Sequence, residues 1–460
     1  MPFHCASVYR RIALPEDIRD KLKRLKKERE ARSKSQELRD AWSKLEEKEE
    51  LSTKEKLEQL IQLRKDRKPR QKSKPRFEPQ EKESLRFTEI PYSLDARYGK
   101  VKISQGLDIQ GSTLACLSCD PEFEDKDLST ALFIDLETTG LSGGTGVVPF
   151  NVGMGYYRDG KFWVGQYFIG ELSEEERMIK ELNQFFSDMK FESVVTYNGK
   201  AFDIPLLETR FIMHQTPFEL ASLPHLDFLF PARSLWRHKY ESCRLSHLAH
   251  EVVQTFRDED IPSAEIPWRY FQYLQTGNYE LIEPILYHNA EDILSLLGVV
   301  IIGASIFSEG LEDLTPDSMD FFGAGKVMER LGESEEAVRF FSKALEGELT
   351  EEVGLSTRRR LSLQFKRHEK WENAVLLWEE MAAANDPSYD LLFSLRELSM
   401  YYEHRKKEFD KALRYAEEGF VVSRGYSTRY EGDFTHRRER IKQKLKRQKQ
   451  KKAGKQNKSK

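Results

Sequence analysis

The stretch ALFIDLETTG, residues 131–140, decides the fold class. Apolar residues run without interruption up to Asp135, as they do in a short strand buried inside a sheet. Asp135 and Glu137 lie two residues apart, so the alternation of side chains along a strand places both carboxylates on one face. Two like charges this close are costly unless a cation neutralises them. The stretch therefore predicts a buried strand that ends at a divalent-metal site, and Mg²⁺ or Mn²⁺ suits its oxygen ligands.

These two acids have a structural alternative, which is to cap the turn that follows the strand. That role suits Glu137 better than Asp135, because the apolar residues Phe133 and Ile134 directly precede Asp135. Asp135 is therefore the stronger metal-ligand candidate of the pair.

A third acid, Asp203, follows a second apolar strand in the phrase TYNGKAFDIPLL, residues 196–207. Asn198-Gly199 is a turn signal at the end of that strand. Asp203 is also a good helix N-cap, with Pro205 just inside the helix. Capping alone explains Asp203, and a shared role in capping and metal binding is the alternative.

A fourth acid, Asp292, lies in the strongly apolar phrase LYHNAEDILSLLGVVIIGASIF, which predicts a buried helix. His288 precedes it by four residues, so both side chains lie on one helical face. A buried acid needs a metal or a base as its partner. His288 taken alone fits a core histidine whose hydrogen bonds are satisfied.

The pattern around the first strand is typical of an α/β domain between about residues 95 and 310. Residues 151–170 predict two strands joined by a turn at Arg158-Asp159-Gly160. Further strands are expected at 193–199 and 225–229, and helices at 174–189, 203–214, 244–254, 267–275 and 280–307. A strand hairpin followed by alternating helices and strands indicates a mixed sheet flanked by helices.

From Leu314 onward the sequence contains a helical repeat. Ala337, Ala374 and Ala412 occur in three similar helical phrases, 37 and 38 residues apart. Small residues that recur where helices pack closely, at this period, favour a tetratricopeptide-like array over residues 314–430. An ordinary helical bundle with accidental similarity is the alternative. Such an array would offer a docking surface for a protein partner.

The charges are distributed unevenly, although the net charge is only −3. Residues 1–86 hold 26 Lys and Arg against 17 Asp and Glu, and residues 436–460 hold 13 basic residues against Glu439 alone. We interpret residues 1–94 as a charged extension, partly helical or disordered, and residues 431–460 as a basic tail. A basic tail attracts polyanions such as nucleic acid, or simply keeps the chain soluble.

Other sequence signals are weaker. No run of 18 apolar residues occurs, so we expect no membrane span. Four scattered cysteines argue against a disulfide scaffold, and a reducing cytoplasmic location is the simplest expectation. Asp227 is expected to be mainly structural. Two interpretations are open for the basic residues Arg233, Arg237 and Lys239, namely contact with phosphates or a solvated basic face.

The phrases FIDLETTG, YNGKAFDIPLL and HNAED, which begin at residues 133, 197 and 288, resemble the three motifs of the DEDD superfamily of 3′–5′ exonucleases, in order and in approximate spacing. More narrowly, ETTGLSGGTG, HLDFLFPARSLW and ESCRLSHL resemble the YprB-type RNase H-like family. The resemblance spans about residues 130–300, and the helical repeats also fit that family.

The resemblance implies an α/β RNase H-like mixed sheet with flanking helices, followed by an all-α tetratricopeptide-like region. It implies a metal-dependent exonuclease that hydrolyses phosphodiester bonds of single-stranded or frayed DNA or RNA. The four acids would hold two Mg²⁺ or Mn²⁺ ions, and Thr138 and Asn198 would contact the nucleic-acid strand. The acids are Asp135, Glu137, Asp203 and Asp292.

The expected general base departs from the superfamily pattern. DEDD enzymes carry a Tyr four residues before the last Asp, or a His five residues before it, whereas this chain has His288 at four and Tyr287 at five. We favour His288 because it shares the helical face of Asp292 and titrates near neutrality. The alternative to an enzyme is a non-catalytic nucleic-acid-binding or scaffold protein that retains the fold.

Overall fold

A computed structural model of the protein describes residues 85–140, 146–256, 261–308, 314–383 and 387–456. The predicted N-terminal extension lies outside these residues up to position 84. Within the described residues, the structure has an α/β part followed by an all-α part, as the fold-class prediction required.

The described strands are β1 (Leu85–Ser93), β2 (Arg97–Tyr98), β3 (Val101–Lys102), β4 (Ala131–Thr138), β5 (Pro149–Arg158), β6 (Lys161–Ile169), β7 (Ser193–Thr196) and β8 (His225–Asp227). Six of them form one sheet in the order β1-β6-β5-β4-β7-β8, and β2 pairs with β3. Strand β4 is antiparallel to β5 and parallel to β7, so the sheet is mixed as predicted. The predicted hairpin turn is present, because Asp159 and Gly160 between β5 and β6 both have positive φ.

The sheet begins earlier than the sequence predicted. Strand β1 lies within the stretch assigned to the charged extension, residues 1–94, and pairs along its length with β6. It is an edge strand that leaves Phe87 and Ile90 about 40% exposed, at 37% and 42%. It also carries Glu89, which binds Arg158 on β5 at 2.9 Å. A charged residue and a proline in an edge strand hide the apolar alternation from which strands are predicted.

The helices of the α/β part are α1 (Gly111–Ser118), α2 (Glu175–Met189), α3 (Asp203–Met213), α4 (Leu229–Trp236), α5 (Leu245–Leu248), α6 (Ile266–Thr276) and α7 (Glu283–Ser305). Five of them occupy the predicted positions, and a π-helical turn at Ala249–Val253 extends α5. Helix α4 was not predicted, because its apolar residues continue directly from the short strand β8.

Helix α7 is the central helix of the α/β part. It packs on β4, β5 and β6, and seventeen of its residues are buried. The segment Tyr279–Ser305, which contains it, is the one stretch among the described residues that is long and apolar enough to cross a membrane. Most of that segment is buried inside the protein, as expected for a core helix.

The all-α part contains α8 (Ser318–Leu331), α9 (Ser334–Leu345), α10 (Glu351–Arg367), α11 (Trp371–Ala382), α12 (Tyr389–Tyr401), α13 (Phe409–Ser423) and α14 (Thr428–Gln456). Ala337, Ala374 and Ala412 each occupy the fourth position of a helix, namely α9, α11 and α13, and all three are fully buried. The sequence repeat therefore has equivalent structural positions. Its assignment as tetratricopeptide-like remains a prediction.

The all-α part packs directly on the α/β part through α8 and α4. A Cβ atom at Gly323 would lie 2.4 Å from the carbonyl oxygen of Leu235, so only glycine allows this approach. The indole of Trp236 donates to Asp320 at 3.1 Å. One hydrophobic core extends from Phe228 in the α/β part to Phe340 on α9.

The predicted basic tail, residues 431–460, begins inside α14 rather than after the fold. Phe434 and Ile441 on this helix are fully buried. The buried carboxylate of Glu403 accepts from Arg440 at 2.7 and 2.8 Å and from Lys444 at 2.8 Å. The run of basic residues was interpreted as a tail because the sequence alone does not show that Glu403, from another part of the chain, lies beside Arg440 and Lys444.

The Glu403 cluster generates a prediction about stability. Burial opposes the charge of Glu403, but the hydrogen bonds from Arg440 and Lys444 prevail and lower its pKa to about 2. We expect Glu403→Gln to lower the free energy of unfolding by about 3–5 kcal/mol, because it removes the buried carboxylate that Arg437, Arg440 and Lys444 share. Urea titration measures this change.

The matched control is Glu408→Gln, which removes an exposed carboxylate paired with Lys411 and should cost less than about 1 kcal/mol. Because the pKa of Glu403 is lowered in the folded state, its contribution is present above the unfolded-state pKa and is lost as the pH falls toward 2. Equal losses in both variants would contradict the anchoring role.

Candidate active site

The carboxyl end of β4 brings the second predicted motif to the first. The ladder between β4 and β7 covers only Ala131–Phe133, so β4 continues past the end of its parallel neighbour. Asp203 is the first residue of α3, and its carboxylate lies close enough to the backbone amide of Leu136 for that amide to lower its pKa. Leu136 lies between Asp135 and Glu137. Asp203 therefore lies near the backbone that joins the two acids, and a site shared with them remains a prediction.

The surroundings of Asp203 disfavour the ionised form of its carboxyl group. Burial raises its pKa to about 7, the backbone amides of Asp203 and Leu136 oppose that shift, and the charge of Asp227 adds to it. A cation bound beside such a carboxylate would stabilise its ionised form.

Asp227 orders the loop that carries Asp203. Its carboxylate accepts from the backbone amides of Asn198 at 2.7 Å, Lys200 at 3.1 Å and Leu229 at 3.1 Å. Asn198 has a φ of 70°, which the turn off β7 requires. The geometry thus gives Asp227 the structural role expected for it.

The amide of Asn289 joins α7 to the sheet. Its Oδ1 accepts from Asn151 on β5 and Gln166 on β6, both at 2.9 Å, and its Nδ2 donates to Asp135 Oδ2 at 2.9 Å. Asn289 is fully buried. A Cβ atom at Gly153 would lie 2.0 Å from Asn289 Oδ1, so the glycine makes room for the amide.

The third motif lies on the same helix as this amide. His288 Nε2 lies 3.3 Å from Asp292 Oδ2, one helical turn away, as the spacing predicted. His288 is 9% exposed, whereas Tyr287 is 51% exposed and lies on a different face of α7. The contact with Asp292 favours His288 over Tyr287 as the titrating partner of that acid.

The described residues include no group of three or more His, Cys, Asp or Glu side chains arranged to hold a metal ion. Asp135 accepts from Asn289, and Asp292 contacts His288. The donor chemistry nevertheless fits a hard cation, since all four are carboxylates. The buried Oδ1 of Asn151, opposite Glu137 in the ladder, is a further acceptor without a partner among the described residues.

Two predicted nucleic-acid contacts, Thr138 and Asn198, lie at the ends of β4 and β7. Thr138 Oγ1 donates to the carbonyl oxygen of Gly140 at 2.7 Å, so the described contact of Thr138 is within its own turn. Both residues stand at the carboxyl edge of the sheet, and their contact with a strand remains a prediction.

Comparisons with known proteins identify the family of this chain. Residues 132–301 match the sequence model of the RNase_H superfamily. The "Uncharacterized protein YprB" of Bacillus subtilis (strain 168) is 30% identical over 344 residues, which are 74% of this chain and 81% of that protein. The chain belongs to the YprB-type RNase H-like family.

A solved structure, the family B DNA polymerase from the hyperthermophilic archaeon Pyrobaculum calidifontis, aligns with 44% of this YprB-type chain at 14% identity and a TM-score of 0.30. The aligned part covers 29% of the polymerase chain. A likeness this small carries no argument about function.

Sequence reasoning missed the polar network of this YprB-type site. Asn289, Asn151 and Gln166 are all buried and connect three elements. The available signal was Asn289 itself, a buried amide beside His288 in an apolar helix, because such a group requires partners. Its partners lie more than 120 residues away in sequence, so no local pattern identifies them.

The network predicts that Asn289→Ala destabilises the protein. The substitution removes the hydrogen bonds of Asn289 to the buried Asn151 and to Asp135, and each such loss costs about 1–3 kcal/mol. We expect the free energy of unfolding to fall by about 2–5 kcal/mol in urea titrations with EDTA. Gln184→Ala, at an exposed amide on α2, is the control and should change stability by less than about 0.5 kcal/mol. A small loss at Asn289 would show that the amide does not fix α7.

The raised pKa of Asp203 predicts a stability gain in Asp203→Asn. Ionising this half-buried carboxyl costs folding free energy, whereas Asn cannot ionise and keeps an oxygen near the amide of Leu136. Because the folded-state pKa of about 7 exceeds the unfolded value of about 3.9, the gain should grow between these two pH values and stay constant above pH 7. Urea titrations at pH 5 and pH 8 in EDTA measure it. A variant that is less stable than the wild type at pH 8 would contradict this setting.

Proposed function

We propose that this protein is a metal-dependent 3′–5′ exonuclease that acts on single-stranded or frayed nucleic acid. Membership of the RNase H-like superfamily supports a nuclease-type function in general. The observation that carries the finer proposal is the position of Asp203, whose carboxylate lies close enough to the amide of Leu136, between Asp135 and Glu137, for that amide to lower its pKa. In this proposal, acids from motifs nearly 70 residues apart in sequence act together at one strand end.

The fourth acid is connected to the other three through α7. Asn289 binds Asp135, and Asp292 lies on the next turn of the same helix. We propose that Asp135, Glu137, Asp203 and Asp292 hold two Mg²⁺ or Mn²⁺ ions. When bound, such ions supply compensating charge for the phosphodiester and a water of lowered pKa.

His288 has the position of a general base in this scheme. The imidazole of His288 would accept the proton of the attacking water, and Asp292, whose Oδ2 lies 3.3 Å from His288 Nε2, would stabilise the imidazolium that results. Thr138 and Asn198, at the ends of the two strands, would contact the terminal nucleotide. The cytoplasmic location and a protein partner for the helical repeats remain predictions.

The test uses a single strand labelled at its 5′ end, prepared as DNA and as RNA of one sequence, with Mn²⁺ or Mg²⁺. We expect a ladder of products shortened from the 3′ end, and none with EDTA. Asp135→Asn should abolish shortening, whereas Asp188→Asn, an exposed acid on α2, should retain it. His288→Gln should lower the rate about 100-fold to 10,000-fold, and Tyr287→Phe should leave it nearly unchanged.

Two outcomes would oppose the proposal. Shortening that persists in Asp135→Asn would assign the activity to a contaminant or another site. Binding of the strand with no shortening by the wild-type protein would favour the non-catalytic nucleic-acid-binding alternative.

A further inference from the structure

Cationic side chains are concentrated where α4 and the segment after it meet α8. Arg233 and Arg237 are exposed, and among the described residues neither forms an ion pair. Arg330 on α8 donates to Ser234 Oγ at 2.9 Å, which places its guanidinium beside α4. Lys326 lies one turn before Arg330. Cations of both parts of the protein therefore share one surface.

Lys326 is the best-defined member of this group. His238 donates from Nε2 to the carbonyl oxygen of Met319 at 2.7 Å, so its Nδ1 is free to accept from Lys326 Nζ at 3.3 Å. No carboxylate forms an ion pair with Lys326 in the part of the chain that the structure describes. Burial, together with the charges of Arg360 and Arg330, lowers the pKa of Lys326 to about 8.

The acids nearby are already engaged with other cations. Asp317 and Asp320 bind Lys239 at 2.7 and 2.9 Å, and Glu329 binds Arg360. Lys326 is half-buried and lacks an acid of its own among the described residues, whereas Arg233, Arg237 and Arg330 are exposed beside it. A desolvated cation among like charges is costly unless an external anion joins it. The geometry thus favours an anion at this surface.

The cationic surface is connected to the proposed active site. Tyr197, which directly precedes Asn198, donates its hydroxyl to the carbonyl oxygen of Cys243. The charges of Arg233 and Asp227 both act on Tyr197, so Arg233 lies close to the loop that leads to Asp203. Cys243 in turn is close to Arg233, Arg237 and Lys326.

We propose that Arg233, Arg237, Lys326 and Arg330 bind backbone phosphates of the nucleic-acid strand whose end lies in the proposed active site. This inference rests on the proposed function for the identity of the strand. Arginine suits the planar, bidentate recognition of phosphate, and lysine adds a compact charge. The all-α part would thereby take part in holding the substrate, through α8.

The experiment measures binding rather than hydrolysis. The full chain carrying Asp135→Asn, in EDTA, is titrated with fluorescein-labelled single-stranded DNA and RNA from 50 to 200 mM NaCl, with anisotropy as the readout. The logarithm of the association constant falls linearly with the logarithm of the salt concentration. The double variant Arg233→Gln with Arg237→Gln should make this slope less steep by about 1.4, since each lost phosphate contact on a single strand contributes about 0.7. The matched control is Arg177→Gln with Lys180→Gln, two exposed cations on α2, and its slope should not change.

Lys326→Met separates binding from folding. We expect it to weaken binding while the midpoint of thermal unfolding stays equal or rises, because a desolvated lysine among like charges does not stabilise the fold. A lower midpoint would indicate a structural lysine and overturn its part in the proposal. An unchanged slope in the double arginine variant, or an equal loss in the α2 control, would overturn the surface as a whole.

The result is independent of the exonuclease test. If the wild-type protein shortens strands but the arginine variants bind normally, the phosphate surface is wrong and the proposed function stands. If the wild-type protein does not shorten strands but the salt dependence of binding weakens in the double arginine variant, the phosphate surface stands and the exonuclease proposal is wrong.

Discussion

The geometry of the site depends on one buried amide. Asn289 accepts two hydrogen bonds from neighbouring strands and donates to Asp135 on a third, and it thereby fixes both the depth and the rotation of the core helix α7 on the sheet. A buried amide tolerates few alternative arrangements, because each lost partner leaves a polar group without water. His288 and Asp292 flank Asn289 on the same helix, so their positions follow from the hydrogen bonds of this one residue.

A second constraint comes from the unequal lengths of two parallel strands. Strand β4 continues past the end of its ladder with β7, and the carboxylate of Asp203 lies near the amide of Leu136 there. The same arrangement crowds Asp203 with other acids and with Asp227. A fold that concentrates carboxylates at one strand end sacrifices stability there, as is common where residues serve a reaction. The hydrogen bonds of Asp227 to the loop between β7 and α3 hold that arrangement in place.

Periodicity predicted the elements with strong local patterns and failed where tertiary contacts decide the structure. The buried strand β4, the hairpin of β5 and β6, and the helices α2, α3 and α7 each follow from residues close in sequence. Strand β1 was missed because an edge strand with an inward Glu89 lacks alternation, and α4 because its apolar residues merge with β8. The four acids and His288 could be selected from three motifs. Their surroundings could not, since Asn151, Gln166 and Asn289 come together only in the folded chain.

The central claim is that acids from three separate motifs cooperate in binding divalent ions. Electron paramagnetic resonance of Mn²⁺ counts free ions directly, and a titration of the wild-type protein in the presence of a nucleoside monophosphate gives the number bound. The account predicts two bound ions per chain, and a loss of at least one in Asp292→Asn, whose acid is the most distant in sequence from Asp135. No bound Mn²⁺ in the wild-type protein, or an undiminished number in Asp292→Asn, would contradict it.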